Sequence, residues 1–301
     1  MKRHCLITIL LIASCLVFSC QQRSGDRPMT EEAVWRLGWR MTANLMDENY
    51  EAADLQFDSL LSRSSGQMEH KFLIAGLQVK SALGKEEAVT EILKAQDESL
   101  LSEICTRSFL AERQPCTAFS QEGVENKALQ MELIRMYLDD QAARGNLMQD
   151  IMTKYDVDEG EVTPNGAVGV DEKNRNRLKE IFQEHGFPTR KLVGRDAMQG
   201  VFMMIQHADR DKEWQKSQLE NIEKAVKNGD LDGQSYAYLY DRIKVNAGQQ
   251  QRYGTQFAKV DPVNNIVELA DTEDVENLDK RRRAMGLMPI GMYKRFMLKS
   301  L

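Results

Sequence analysis

The sequence predicts a mainly α-helical protein in which an antiparallel helical-repeat region is followed by a separate helical domain. No proline occurs between Pro28 and Pro115, and apolar residues recur there at spacings of three and four, which places them on one face of a helix. Similar stripes continue beyond residue 125, while few segments alternate apolar and polar residues as half-buried strands do. With 301 residues, 42% of them apolar, the chain is long enough to bury a sizeable core.

The charge balance argues against nucleic acid as a ligand. The formal net charge is −6, and the basic residues form no extended stripe along the sequence. Proteins that bind nucleic acid draw most of their affinity from neutralising phosphates with Lys and Arg. We therefore expect no nucleic-acid partner for this chain.

The amino terminus has the pattern of a secretory signal. Lys2 and Arg3 precede an apolar run over residues 6–18. A run of that length matches the apolar part of a signal peptide, whereas a membrane-spanning helix needs about 20 apolar residues. The run therefore predicts export, and not a transmembrane anchor.

The end of this run resembles the lipobox of bacterial lipoproteins, in which an aliphatic residue and a small residue precede a cysteine. The residues here are Val17, Phe18, Ser19 and Cys20. The resemblance implies that the Cys20 sulfur carries a diacylglyceryl group with fatty chains such as palmitate, and that cleavage leaves Cys20 as the first residue. Two or more acyl chains hold a protein stably on a membrane. The alternative is a plain secretory signal that ends near a cysteine by chance.

A lipid on Cys20 implies a place in the bacterial cell envelope, with the membrane as a partner. In double-membrane bacteria an Asp after the lipidated cysteine resembles a signal for retention at the inner membrane. Gln21 follows the cysteine here, which favours the outer membrane. The predicted parts of the chain are a lipoprotein signal peptide (residues 1–19), a tether (20–30), a helical-repeat-like region (31–120) and an uncharacterised helical domain (125–301).

Two cysteines, Cys105 and Cys116, follow the predicted lipidation site. The cell envelope permits disulfides, and a bridge over so short a loop would contribute about 3 kcal/mol to stability. The alternative is a pair of buried free thiols, because the sequence does not supply the Cα separation that a bridge requires. We expect neither to be a nucleophile, since no histidine or glycine-rich turn accompanies them.

Small and apolar residues recur at matching positions in the N-terminal helices. Leu37, Gly38 and Met41 correspond to Ala75, Gly76 and Val79, and Ala53, Phe57 and Leu60 correspond to Ala88, Ile92 and Ala95. The pattern over about residues 31–97 resembles the tetratricopeptide repeat, whose period is about 34 residues. The resemblance implies a protein or peptide partner in a concave face. The alternative is a pair of generic antiparallel helical hairpins.

Ordered polar blocks run through the C-terminal half. They are Asp140-Gln141 with Arg144, Asp171 with Asn174, Gly186 with Pro188-Thr189, Val193-Gly194, Gln206-His207-Ala208-Asp209, Asp241-Arg242, Gln251 with Tyr253-Gly254-Thr255-Gln256, and Arg282-Arg283 with Gly286-Leu287. Their order and spacing, from about Leu129 to Tyr293, resemble an uncharacterised bacterial family, domain of unknown function 6624. The family brings no established activity, so the resemblance implies kinship and no reaction.

The candidate pocket comes from the strongest of these blocks. Its residues are Gln206, His207, Asp209, Asp241, Arg242, Tyr253, Thr255 and Gln256. Together they would supply a base, carboxylates, an anion clamp and amide groups, which suits a hydrolase for a polar or phosphorylated small molecule. The same side chains could instead form a ligand pocket without chemistry, or a buried network that holds helices together. On a straight helix His207 and Asp209 differ by about 200°, so one pocket requires a helix break between them.

Sequence signatures of the common cofactor and metal sites do not occur. The chain has no HExxH zinc motif, no GxSxG elbow, no phosphate-binding P-loop and no GxGxxG fingerprint. We therefore expect no cofactor and no metal. The function that the sequence favours is a lipid-anchored binding or scaffolding module at the membrane, and the alternative is the hydrolase.

Overall fold

The computed structural model describes residues 28–119, 123–162 and 166–299. The predicted signal peptide and Cys20 lie outside the described residues. The described part is mainly helical, which confirms the predicted fold class, and none of its helices is both long and apolar enough to cross a membrane. The helices of the N-terminal part are α1 (Glu31–Met46), α2 (Tyr50–Arg63), α3 (His70–Ala82), α4 (Glu86–Lys94), α5 (Glu98–Ile104) and α6 (Ser108–Ala111), followed by a 3-10 turn at Cys116–Ala118.

The helices farther along the chain vary more widely in length. They are α7 (Lys127–Ala142), α8 (Gln149–Tyr155), α9 (Ala167–His185), α10 (Arg190–Val193), α11 (Arg195–Gln206), α12 (Lys212–Ser217), α13 (Leu219–Lys227), α14 (Gly233–Asn246), α15 (Leu278–Ala284) and α16 (Ile290–Lys299). Further 3-10 turns lie at Glu159–Glu161 and Val275–Asn277. Between α14 and α15 the chain forms two strands, β1 (Phe257–Asp261) and β2 (Ile266–Leu269).

The N-terminal helices share one hydrophobic core. α1 begins after Thr30, whose hydroxyl accepts the N–H of Ala33 at 3.2 Å and so satisfies one of the unpaired donors of the first turn. α1 packs against α2 and α3, and α3 packs against α4. Phe57 and Phe72 are fully buried between these helices. The resemblance to tetratricopeptide repeats stays a prediction.

The end of the N-terminal region contains a disulfide. Cys105 follows the last residue of α5, and Cys116 begins the 3-10 turn that comes after α6. Both residues are fully buried in the N-terminal core, and their sulfurs are bonded with the Cα atoms 4.9 Å apart. Of the two states that the sequence leaves open, the structure has the bridge and not the free thiols.

A second hydrophobic core belongs to the helices from α7 to α14. α7 is its centre, packed against both α9 and α11, and α14 packs against α11 and α13. Leu133, Leu178, Val201 and Ile205 are among its fully buried side chains. This core presents the ends of α7, α9 and α11 to one another, which matters for the candidate site.

The strands form an antiparallel hairpin that the sequence analysis did not predict. Val260 pairs with Val267 and Asp261 with Ile266, and the register is irregular between Phe257 and Lys259. No residue of either strand is fully buried. So short and exposed a hairpin has little of the apolar alternation on which strand prediction depends.

The C-terminal segment returns to the N-terminal helices. The indole N–H of Trp35 donates to the carbonyl of Leu287 at 3.0 Å, and the Lys71 ammonium donates to the carbonyl of Gly286 at 2.7 Å. Met288 and Met292 pack against the N-terminal core. The two helical regions are therefore in direct contact through the last helices of the chain.

Candidate functional site

Hydrogen bonds divide the predicted pocket residues into three networks. The first joins the end of α11 to α7. α11 ends at Gln206, and the Nδ1 of His207, the next residue, lies 2.9 Å from the Oδ1 of Asp140, which is fully buried. A carboxylate beside Nδ1 favours the tautomer in which Nε2 can accept a proton. That Nε2 has no hydrogen-bond partner among the described residues.

An arginine completes this first network. One Nη of Arg144 lies 3.1 Å from the Oδ1 of Asp140, and the other lies 2.6 Å from the Oδ1 of Asp171 at the start of α9. The side-chain amide of Gln141 donates to Asp140 as well, at 2.8 Å. We call Asp140, Arg144, Asp171 and His207 the His207 cluster. It holds a base, two carboxylates and a guanidinium, and only Asp140 among them is completely buried.

The His207 cluster also has the donor set of a metal site. Ligand atoms of Asp140, Asp171 and His207 all lie within 4.8 Å of one another. Carboxylates and imidazole suit several divalent cations. However, the guanidinium of Arg144 already bridges the two carboxylates, so a metal ion would compete with a resident positive charge. The absence of a metal stays a prediction, and the arrangement as it stands suits proton transfer at His207 better.

The second network contains Asp209 and Arg242. The Nε of Arg242 donates to the Asp209 carboxylate at 2.9 Å, and its Nη2 donates to the other oxygen. Gln215 and Asn246 donate to the same carboxylate, each at 3.1 Å. Burial would raise the pKa of Asp209, but the hydrogen bonds and charge of Arg242, with those two amides, lower it below its usual value. This pair links the break after α11 to α14.

Gln215 supports the break itself. Its buried side-chain amide donates to the carbonyls of Ile205 and Gln206, at 3.2 and 3.0 Å, and so satisfies the end of α11. The side-chain carbonyl of Gln206 is buried without a hydrogen-bond partner among the described residues. Residues 207–211 thus form the turn between α11 and α12, and His207 and Asp209 belong to different networks.

The third network surrounds Asp241, which is fully buried in α14. Its carboxylate accepts the backbone N–H groups of Arg252, Tyr253 and Thr255 at 2.8 to 3.0 Å, and the hydroxyl of Thr255 at 3.0 Å. Burial raises the pKa of Asp241, although these donors favour its charged form. The arrangement is that of a carboxylate holding a turn, so Asp241 has no free oxygen facing a ligand.

Two neighbouring residues reinforce this turn from the other side. The fully buried Gln251 accepts the N–H of Gln256 at 2.9 Å and donates to its carbonyl at 2.9 Å. The fully buried Arg282 donates to the carbonyls of Tyr253 and Gly254 at 2.6 and 3.0 Å. Burial lowers the pKa of this arginine. The block from Gln251 to Gln256 is therefore held by side chains on both sides.

The hydrogen bonds do not join the candidate pocket residues of the sequence into one network. His207 belongs to one network, Asp209 and Arg242 to another, and the remaining polar residues to the turn around Asp241 or to the end of α11. Asp140, Arg144 and Asp171 carry the family resemblance in the sequence but were not among the predicted pocket residues. The spacing of four residues between Asp140 and Arg144 could have indicated that the two side chains pair, because it puts both on one helix face.

A polar cavity of about 620 Å³ lies where the two helical regions meet. We call it the junction cleft; Lys71, Glu103, Arg107, Arg195 and Asp232 are among its lining residues. The Nε of Arg107 is buried there without a hydrogen-bond partner among the described residues. Burial lowers the pKa of Arg107, and the positive charge of Arg195 lowers it further, while the negative charges of Asp196, Asp232 and Glu103 oppose this shift. A partly buried cation with such an Nε favours an additional anionic partner.

The comparison with protein families identifies the C-terminal part. Residues 127–300 match the family of unknown function DUF6624, and the chain belongs to this family. The three networks and the C-terminal helices α15 and α16 all lie within the matched segment. Comparison with curated proteins found no match, and comparison with solved structures found none either.

Proposed function

We propose that the chain is a lipid-anchored protein of the bacterial cell envelope that works as a binding module. The support for the anchor is the signal pattern and lipobox that end at Cys20, with Gln21 favouring the outer membrane. The test is fractionation of cells labelled with radioactive palmitate. The wild-type chain should carry label and sediment with the outer membrane, and Cys20→Ser should lose the label. Unchanged labelling of the variant would refute lipidation at this residue.

The observation that carries the binding role is the state of Arg107 in the junction cleft. Its Nε lacks a hydrogen-bond partner in the described part of the chain, while Arg195, on the other helical region, pairs with Glu103 at 2.6 Å. Ligand sites commonly form where two structural units meet. A ligand with a carboxylate or phosphate would supply the acceptor that Arg107 lacks and offset the repulsion from Arg195. We infer that the cleft binds a small molecule or peptide bearing such an oxyanion.

Thermal unfolding with citrate and inorganic phosphate tests this binding role. A ligand that binds only the folded chain stabilises it by mass action, so the melting temperature should rise with the concentration of at least one of the two anions. Arg107→Gln should abolish the rise. The matched control is Arg135→Gln, which removes a half-exposed arginine whose one ion pair among the described residues is with Glu161, and it should respond as the wild type does. A rise that survives Arg107→Gln, or no rise with either anion, would reject the proposal.

A second candidate function, hydrolysis of a polar or phosphorylated small molecule, rests on the His207 cluster. Asp140 holds the imidazole, whose Nε2 could remove a proton from water. Arg144 lies beside the same carboxylate and could stabilise a developing negative charge. The reaction would need no covalent intermediate on the protein, since water is the nucleophile.

Turnover of bis(p-nitrophenyl) phosphate tests this second candidate. His207→Gln should reduce the rate at least 100-fold, the scale of a lost general base, while the circular dichroism spectrum stays that of the wild type. His185→Gln, at the exposed end of α9, is the matched control and should keep the rate. Equal rates for the two variants would exclude His207 as the base.

A further inference from the structure

An apolar cavity lies between the first and the last described helices. Its volume is about 220 Å³, and we call it the α1–α16 cavity. Its apolar lining residues are Trp39, Ala43, Met46, Met288, Met292 and Phe296. Methionine side chains are flexible and adapt to ligands of different shape. The volume is below that of a typical drug-sized pocket and fits one short chain.

The rim of this cavity carries an excess of positive charge. Asp47, Arg295 and Lys299 line it together with Thr42. Lys299 pairs with Asp47, and the Nη2 of Arg295 lies 3.6 Å from the same carboxylate. Two cations thus share one carboxylate. The hydroxyl of Thr42 is occupied, because it donates to the carbonyl of Gly38 at 2.9 Å.

A buried donor provides a second observation. Trp39 lines the cavity, and its indole N–H is buried without an acceptor among the described residues. Trp35, one turn earlier in α1, shows the contrast, because its indole N–H donates to Leu287. A buried donor without an acceptor is unfavourable, so the wall of the cavity at Trp39 carries a cost that the position of Trp35 does not.

We propose that the α1–α16 cavity binds a single-chain amphipathic anion of the medium-chain fatty carboxylate class. The chain occupies the Met-lined interior, and the carboxylate meets Arg295 and Lys299. Charge complementarity at the rim selects the anion over the neutral alcohol of equal length. The small volume selects one chain over the two chains of a phospholipid.

Displacement of the fluorescent probe 11-(dansylamino)undecanoate tests the proposal. The protein used is residues 20–301 with Cys20→Ser, which needs no detergent because it carries no lipid. Octanoate and decanoate should displace the probe. Each added methylene should tighten binding by roughly fourfold until the cavity is full. Decanol should displace it at least about fivefold more weakly than decanoate, a modest factor because the rim charges are exposed to solvent. Equal potency of decanol, or no dependence on chain length, would overturn the proposal.

Variants locate the site. The double variant Arg295→Gln/Lys299→Gln should weaken decanoate about fivefold, while Lys224→Gln/Lys227→Gln, which removes two exposed cations of α13, should not. Ala43→Phe should block probe binding by filling the cavity. If Ala43→Phe does not fold, Trp39→Phe provides the second test, because bromododecanoate should quench the tryptophan fluorescence of the wild type and much less that of this variant. Unchanged binding in the charge variant would refute the site.

Vesicles distinguish the free anion from a membrane surface. The same chain should not sediment with phosphatidylglycerol vesicles any more than with phosphatidylcholine vesicles, because the proposed ligand is one chain inside the cavity. If the chain sediments with the anionic vesicles and added decanoate does not prevent this, the proposal would be overturned in favour of headgroup binding. The junction cleft is a separate cavity, so failure of phosphate or citrate to bind there leaves these outcomes unaffected.

Discussion

The carboxylate of Asp241 accepts both the backbone N–H and the hydroxyl of Thr255, at 2.9 and 3.0 Å. The same carboxylate accepts the backbone N–H groups of Arg252 and Tyr253. Because Asp241 is fully buried, each of these donors would lack an acceptor if the carboxylate were removed. One side chain of α14 therefore determines the path of the chain that follows.

We expect Asp241→Ala to lower the free energy of unfolding by about 3 kcal/mol, because it leaves several buried N–H groups unpaired. Asp241→Asn should lower it less, since one carbonyl oxygen still accepts hydrogen bonds. The measurement is urea unfolding followed by circular dichroism. Asp150→Ala, at an exposed site in α8, should change stability by less than about 0.5 kcal/mol. Wild-type stability in Asp241→Ala would contradict this structural role.

The paired Asp209 predicts a pH dependence of stability. Burial opposes the charged form, but Arg242 and two amides outweigh it and lower the pKa of Asp209 below the value of about 3.9 in the unfolded chain. A carboxyl with a lowered folded-state pKa stabilises the fold above its unfolded pKa. This contribution is lost as the pH falls through the folded-state value.

We therefore expect Asp209→Asn to destabilise the protein by about 1 to 2 kcal/mol at pH 7, a modest range because the side chain is 37% exposed. The difference from the wild type should shrink below about pH 4. Guanidinium unfolding at pH 7 and at pH 3 measures the destabilisation and its decrease at low pH. Asp156→Asn, an exposed residue whose left-handed backbone also suits Asn, is the control at pH 7. A difference that is the same at both pH values would show that Asp209 does not act through its charge.

The sequence could predict the helices and the family but not the partners of the polar residues. Periodicity reports which face of a helix is buried, and the family blocks mark residues such as His207 and Asp241. Neither reports that His207 would meet Asp140, 67 residues earlier in the chain, because that contact depends on how α7 packs against α11. The sequence likewise does not show that a turn would enclose the carboxylate of Asp241.

The glycines of the N-terminal helices show how far the repeat pattern could be used. Gly38 and Gly76 stand at matching positions of the sequence, and glycine in a helix leaves room for a neighbouring helix to approach closely. In the structure a Cβ on Gly76 would lie 2.1 Å from Phe57, and one on Gly38 would lie 2.4 Å from Phe72. The pattern is thus consistent with close packing, whereas only the structure shows which aromatic rings face the two glycines.

We expect Gly76→Ala to destabilise the protein by about 1 to 3 kcal/mol, because the fully buried Phe57 ring cannot move aside without disturbing the core. The sign of the change in the free energy of unfolding is informative, since Ala in an unobstructed helix stabilises by up to about 1 kcal/mol relative to Gly. Gly169→Ala in α9 provides the matched control, because its added Cβ meets no described atom within 4 Å beyond its chain neighbours and the backbone of its own helix. The melting temperature should therefore fall for Gly76→Ala and rise for Gly169→Ala. A rise in melting temperature for Gly76→Ala would show that α2 and α3 pack less closely than described.

The disulfide between Cys105 and Cys116 gives the last prediction. It closes a loop with a sequence separation of 11 residues at the end of the N-terminal core. In the chain-entropy description such a cross-link restricts the unfolded chain, so the double variant Cys105→Ser/Cys116→Ser should lose about 3 kcal/mol of stability. Dithiothreitol should lower the stability of the wild type and leave that of the variant unchanged. The single variant Cys105→Ser should gain one thiol that reacts with a maleimide in urea. A wild-type chain purified without reductant in which Cys105 and Cys116 both react with the maleimide in urea would refute the bridge.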